Sequence, residues 1–252
     1  MNVTLLSHQP DALELLLYTK NTRLRGGVTL ADIKAWPAEK KAEHLAYMLD
    51  TIQSSWEFAH YVFEIKEVSR AFTHQFVRTR TGSYAQESQR TVDVRDASFV
   101  IPKMDSNQDF YETAMQSSID SYVGLIEAGV PVQDARGVLP TNIHTSIIAG
   151  FNLRTLHDMA EKRLCTRTQG EYQNVFRAMR EAVIAVHPWA EPFLQVYCIN
   201  HGTCCFPRYT ECPVQKEVFG GVALAITKGR VREAFESLRH EAVPVAQDGR
   251  TM

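Results

Sequence analysis

Residues 107–128 carry the strongest ordering signal in the chain. Phe110, Met115, Ile119, Tyr122 and Ile126 recur at the 3.6-residue helical period. Asn107 stands where a cap is needed, and Gly129 with Pro131 ends the run. Residues 169–186 repeat the pattern: Tyr172, Val175, Phe176, Met179, Val183 and Val186 form one apolar stripe, read as core rather than chemistry, and His187-Pro188 breaks it. Helices of this kind must bury their stripes, and short β-rich stretches offer the partner surface. Those stretches are 2–7, 59–66, Ser98–Ile101, ended by Pro102, and Ile143–Gly150. Further helices fit 10–20, 38–52 after Pro37, Ser69–Val77 with Ser69 as cap, 152–163 and 230–240. Residues 78–96, polar and containing Gly and Ser, read as a loop. Helices interleaved with a few strands give an α+β fold.

The 252 residues hold 27 Lys and Arg against 29 Asp and Glu, a net charge of −2. Such a chain has no global field with which to collect on nucleic acid or anionic membrane, so neither is an expected partner. Any anion it binds must be held by a local cluster. The first residues, MNVTLLSHQPDALELLLYTK, lack the basic start and long apolar stretch of a signal peptide, and no apolar run approaches the ~18 residues of a membrane span. The expected location is cytoplasmic, where thiols stay reduced.

The local cation cluster is found between Gln75 and Arg90. Arg78, Arg80 and Arg90 fall within thirteen residues, interleaved with Ser83, Gln86, Ser88 and Gln89, and Arg70 lies eight residues upstream of Arg78. Guanidinium forks match phosphate and carboxylate geometry, and hydroxyls and amides complete a binding shell. A solvated basic loop has the same composition. Neither a GxGxxG nor a Walker A sequence occurs, so a nucleotide would not be held by a Rossmann or P-loop fold.

The stretch resembles the signature of the flavin-dependent thymidylate synthases, matching at Arg78, Arg80, Ser83, Ser88 and Arg90 in register, with Gln75 also in place. Other blocks follow in the family's order: Ser54-Ser-Trp-Glu57 and Phe63-Glu64-Ile65 upstream, then Ala135-Arg136-Gly-Val-Leu139-Pro140, then Asn152-Leu-Arg154-Thr-Leu156 with Arg163 and Gln169-x-Glu171. The resemblance spans residues 50–190 and sets off a catalytic domain, 1–190, from a Cys-rich extension, 191–252.

The resemblance implies helices around a small, mostly antiparallel sheet, with active sites between subunits of a homotetramer. It implies transfer of a methylene from methylenetetrahydrofolate to C5 of dUMP, hydride from FADH⁻, flavin regeneration by NADPH, and no cysteine nucleophile. Carried over by position, Ser54, Glu57, Arg78, Thr79, Arg80, Thr81, Asn152, Arg154 and Asp158 fall on the flavin side. Gln75, Gln86, Glu87, Ser88, Gln89, Arg90, Arg136 and Arg163 fall on the nucleotide side, Ser88 and Arg90 at the phosphate. Arg163, Arg78 and Ser88 are the expected catalytic residues, Arg163 facing the uracil carbonyl edge. A fixed cation there stabilises the enolate-like charge that develops when C5 attacks.

Departures accompany the match. Thr79 replaces the family's central histidine, Thr91 its closing tyrosine, Ala85 an Asn or Ser, Phe58 a His, and Asp158 an Asn or His; the His before the upstream block has no counterpart in Asp50-Thr-Ile-Gln53. His60, His74, His144 and His157 are candidates to supply the missing ring donors. The departures leave two alternatives beside dUMP methylation: methylation of UMP or hydroxymethylation of a pyrimidine nucleotide, and an inactive homologue that binds nucleotide or RNA.

Four of the five cysteines lie between Cys198 and Cys212, with His201 among them. Thiolates select zinc or iron–sulfur, but the spacing is not that of a CxxC…CxxC knuckle, and reduced buried thiols without metal remain the alternative. The resemblance implies a ligand set of Cys165, Cys198, Cys204 and Cys212.

Overall fold

The computed structural model describes residues 1–20, 27–51, 53–206 and 212–213. The expected helix at 230–240 lies outside the described residues.

A four-stranded sheet organises the fold: β1 (Asn2–His8), β2 (His60–Ser69), β3 (Ser83–Gln86) and β4 (His144–Asn152), in the order β1-β2-β4-β3. Every pairing is antiparallel. Period-two alternation sets its faces: Tyr61, Phe63 and Ile65 of β2 and Ile147, Ala149 and Phe151 of β4 are buried. A bulge after Ile65 interrupts this register and places Glu67 at φ 56°. The opposite face is open; Ile148 is 41% exposed.

The helices are α1 (Ala12–Lys20), α2 (Leu30–Lys34), α3 (Ala38–Thr51), α4 (Arg70–Phe76), α5 (Gln108–Glu127), α6 (Val132–Ala135), α7 (Leu153–Arg163), α8 (Gly170–Val186) and α9 (Tyr197–His201). α8 packs on β1 and β2. Its Tyr172, Val175, Phe176, Met179 and Val183 are buried as the stripe predicts, while Val186 is left exposed. The same core takes in Phe193, Leu194 and Val196, so the chain past residue 190 begins by packing on the sheet side. Arg180, also buried, fixes that segment by donating from Nε to the Leu194 carbonyl at 2.7 Å and pairing with Glu191 at 3.3 Å.

Two sequence expectations change here. Ser98–Ile101 is not a strand; it contributes a single bridge, Phe99 to Ile143. Asn107 does not cap α5 with its side chain; it sits at φ 64° and its amide makes no capping bond. α5 keeps its predicted period, but only Ile119 and Tyr122 are buried, and Phe110 is 76% exposed. Tyr122 joins Val94, Ala135 and Ile143 in a small cluster apart from the main core. Gly129, at φ 84°, ends α5 as expected. Among the described residues no helix is long and apolar enough to cross a membrane.

A buried polar pair makes stability pH-dependent. The Tyr61 hydroxyl lies 3.0 Å from His187 Nδ1, and His8 meets the same imidazole edge-on. Burial, then the His8 charge, hold His187 below the ordinary histidine range, and burial does the same for His44 and His144. The unfolded chain therefore binds more protons than the folded one just below pH ~6.5, and stability is lost as pH falls through that value. The urea midpoint is expected to be lower at pH 5.5 than at pH 7.5. An unchanged or higher midpoint would contradict this assignment.

Candidate active site

The arginine segment is placed by α4 and β3. Ser69 caps α4, accepting from the Phe72 amide at 2.9 Å, as the sequence predicts. Its own hydroxyl donates to Glu171 Oε2 at 2.5 Å, and its amide donates to Glu171 Oε1 at 2.7 Å. One carboxylate on α8 thus fixes the start of the helix that leads into Arg78. Ser69→Ala removes the cap and a charge-assisted bond together, and is expected to cost about 2–3 kcal/mol by denaturant titration. A loss under about 0.5 kcal/mol would show the pair to be incidental.

After α4 the chain turns. Gly82 N–H donates to the Thr79 carbonyl, and the Tyr84 hydroxyl donates to the carbonyls of Phe76 (3.1 Å) and Thr79 (2.7 Å). Burial pushes this phenol up to about 12, so it remains a donor. The turn also brings Gly82 against the Phe151 ring. The segment read as a loop at 78–96 therefore contains β3, with Ser83 opposite Gly150 and Gln86 opposite Ile147. Beyond it the Glu87 amide donates to the Ser146 carbonyl, and the Ser146 amide donates to Glu87 Oε2 at 3.1 Å. Ser88 accepts from the Arg90 amide at 3.2 Å, which shapes the next turn.

These contacts join the sequence blocks. Thr155 Oγ1 donates to Thr81 Oγ1 at 3.0 Å, setting the arginine turn on the first turn of α7. Arg154 pairs with Glu57 at 2.8 Å, attaching the 3₁₀ turn Gln53–Phe58, which includes exposed Ser54, to α7. Gln75 donates to Gln169 at 2.7 Å, and Gln86 to Thr73 at 2.7 Å. Arg163, the last residue of α7, lies with Cζ 4.3 Å from the Tyr172 ring centroid on α8. Arg136 stands apart from this line of contacts, beside Arg70, whose guanidinium donates to the Glu87 carbonyl at 3.3 Å. Burial, then Arg136, pull the Arg70 pKa down, and the nearby Glu87 carboxylate offsets part of this.

Several expected residues have structural duties. Asn152 caps α7, its Oδ1 accepting from the Thr155 amide at 2.8 Å, so that oxygen is already engaged. Asp158 is exposed on α7. Of the histidine candidates, His157 bonds the Phe193 carbonyl at 2.7 Å and packs on Trp56, and His144 bonds Ser98 at 2.5 Å. His60 and His74 are exposed. Arg78, Arg80 and Arg90 are exposed, and none has a carboxylate partner among the described residues. An anion with several phosphate oxygens suits three such uncommitted forks. Thr155, Tyr84 and Tyr172 were not expected at the site. Tyr84 could have been found from the Ser-Tyr-Ala-Gln alternation; Tyr172 was hidden in an apolar stripe.

The fold gathers the predicted cysteines. Thr166 Oγ1 donates to Cys212 Sγ at 3.2 Å, the Phe206 amide donates to Cys204 Sγ at 3.3 Å, and Cys198 lies in electrostatic contact with Cys204, Cys165 and Cys212. All are free thiols. Burial pushes Cys165 up and Cys198 up to about 12, which keeps them protonated. Among the described residues no three His, Cys, Asp or Glu side chains converge as a metal site.

With the geometry in place, comparison defines the class: residues 4–189 match the family model described as thymidylate synthase complementing protein. The match starts far upstream of residue 50, where the sequence resemblance began. The chain belongs to this family, that of the flavin-dependent thymidylate synthases. A relative of that name from Sulfurisphaera tokodaii is 32% identical over 213 residues, 80% of each chain. One from Geobacter sulfurreducens is 34% identical over 199 residues, 75% of this chain and 84% of the relative. One from Saccharolobus solfataricus is 37% identical over 149 residues, 58% of this chain and 57% of the relative.

Proposed function

We propose that the protein methylates dUMP at C5 to give dTMP, with methylenetetrahydrofolate as one-carbon donor, FAD as hydride carrier and NADPH as reductant. The observation that carries this reading is the set of uncommitted guanidiniums on the segment that folds against α7. Arg78, Arg80 and Arg90 are exposed and unpaired with carboxylates among the described residues, and Arg163 projects from the end of the same helix. Cations held without counter-ions fit a flavin dinucleotide and a nucleotide phosphate. The bound flavin would supply the redox step. The chain's own groups bind and orient: Arg78, Thr79, Arg80, Thr81 and Arg154 toward the flavin, Gln75, Gln86, Ser88, Arg90 and Arg136 toward the nucleotide. Arg163 holds positive charge at a uracil carbonyl oxygen, where negative charge develops as C5 reacts.

Residues 1–190 form the catalytic unit in this reading, and residues 191–252 an extension of it. The exposed Phe110 and the open sheet face bearing Ile148 fit burial against further subunits, as in a homotetramer with sites between chains. Metal analysis of the purified protein tests the cysteine expectation: one equivalent of zinc or iron would assign Cys165, Cys198, Cys204 and Cys212 a ligand role, and metal-free protein would leave them as reduced thiols.

The deciding experiment incubates the full chain with FAD, NADPH and methylenetetrahydrofolate, offering dUMP, UMP and dCMP in turn, with products read by mass spectrometry. Formation of dTMP from dUMP is expected. A C5-methylated or hydroxymethylated product from UMP or dCMP alone would replace the substrate assignment. Nucleotide binding without FAD binding or NADPH oxidation would identify an inactive homologue.

A further inference from the structure

Tyr172 is 0% exposed, yet its hydroxyl has no hydrogen-bond partner among the described residues. The ring packs edge-on against Phe72 at 5.1 Å and Phe76 at 5.8 Å, which fixes its plane. The Arg163 guanidinium lies over this ring. Arg163 and Thr79 both stand near enough to the hydroxyl to favour its charged form, but neither meets it with hydrogen-bond geometry. A buried, unpaired hydroxyl is a cost that phenylalanine would avoid, so its retention calls for an explanation.

The contact also decides what Arg163 can offer. Attraction to a ring face restrains a guanidinium without engaging its N–H donors. Among the described residues no carboxylate or carbonyl accepts from Arg163. Its charge is held in place and its fork stays available. We propose that Tyr172 is a positioning residue for Arg163: its ring holds the guanidinium, and its hydroxyl is the acceptor Arg163 takes when a nucleotide is bound. The inference rests on the nucleotide-site reading above and adds to it the group that aims the cation.

The test is calorimetric titration of the full chain with dUMP, together with thermal denaturation of the free protein. Tyr172→Phe keeps the ring and removes only the unpaired oxygen. It is expected to raise the melting temperature and yet weaken dUMP binding by about 3–10-fold. Tyr172→Leu, which also removes the ring face, is expected to weaken it by ~10-fold or more. Both losses should vanish in an Arg163→Ala background, since coupled residues are not additive. A Tyr172→Phe variant that binds dUMP like the parent, or loses the same factor with and without Arg163, would overturn the proposal. If Tyr172→Leu does not fold, Tyr172→Phe decides alone. A parent protein that binds none of dUMP, UMP and dCMP would instead overturn the nucleotide-site reading and this inference with it.

Discussion

Replacing Arg163 with alanine is expected to lower turnover of dUMP by at least ~10²–10³-fold, the loss seen when one preorganised donor at a developing oxyanion is removed. The expectation follows from where the residue sits. Arg163 closes α7 and lies across the Tyr172 ring. Removing it therefore deletes a cation without unpairing a buried carboxylate, and the fold should survive. The rival role, complementing the C-terminal dipole of α7, is worth only about 0.3–1 kcal/mol of stability. The two are separated by measuring release of tritium from C5-labelled dUMP beside the urea midpoint. Collapse of exchange with a small shift of midpoint supports a role in the reaction. Near-parental exchange with a lowered midpoint would make Arg163 a helix-end residue. Arg163→Lys should recover little, because lysine keeps the charge but not the planar fork or the fit to the ring.

Gly82→Ala is expected to be the most damaging small substitution in the arginine segment. A Cβ at this position would stand 2.4 and 2.9 Å from Phe151 ring atoms and 2.7 Å from the Tyr84 hydroxyl. The Phe151 ring is 3% exposed and packs edge-on against Phe76 and Tyr84, so it has nowhere to move. The hydroxyl is the donor that fixes the Thr79 and Phe76 carbonyls. One methyl group therefore strains the core and loosens the turn carrying Arg78 and Arg80. Overpacking of this kind costs about 1–3 kcal/mol, and the displaced arginines should lower activity by ~10²-fold even in protein that remains folded. Denaturation and steady-state kinetics on the same preparation give both numbers. Phe151→Leu should offset part of the Gly82→Ala penalty by making room. If Gly82→Ala is as stable and active as the parent, the close approach is not a constraint.

The sequence made the long elements legible and the short ones less so. Helical period and punctuation located α5, α7 and α8 because each repeats one signal over three or more turns. Ser69 as the α4 cap was readable because the capping residue and the following amide are three positions apart. β3 was not readable. Its four residues pair with β4 alone, only Tyr84 and Gln86 are half-buried, and the segment looks like any polar loop. Residues 98–101 carry stronger strand composition and make one bridge, to Ile143 just ahead of β4. Strand propensity describes a side chain's fit to a half-buried surface rather than the length of a pairing. The arginine positions were legible through resemblance, but not the groups that set them: Glu171, Tyr84 and Thr155 act through contacts 5 to 102 residues away. Tyr172 shows the limit of pattern reading. Its place in the α8 stripe was right, and the stripe concealed a polar atom next to Arg163.

The separate cluster of Val94, Tyr122, Ala135 and Ile143 has a thermodynamic consequence for the chain as a whole. Few apolar side chains close it, whereas the sheet-side core is extensive, so the two need not open at the same free energy. Amides of α5 should exchange with solvent deuterium through a partial opening that leaves β2 and β4 protected. Val94 lies four residues past Arg90, and Ala135 immediately precedes Arg136. Each opening would therefore move two of the proposed nucleotide contacts, and a bound nucleotide would slow exchange in α5 without touching it. Exchange in α5 would then report occupancy of the site.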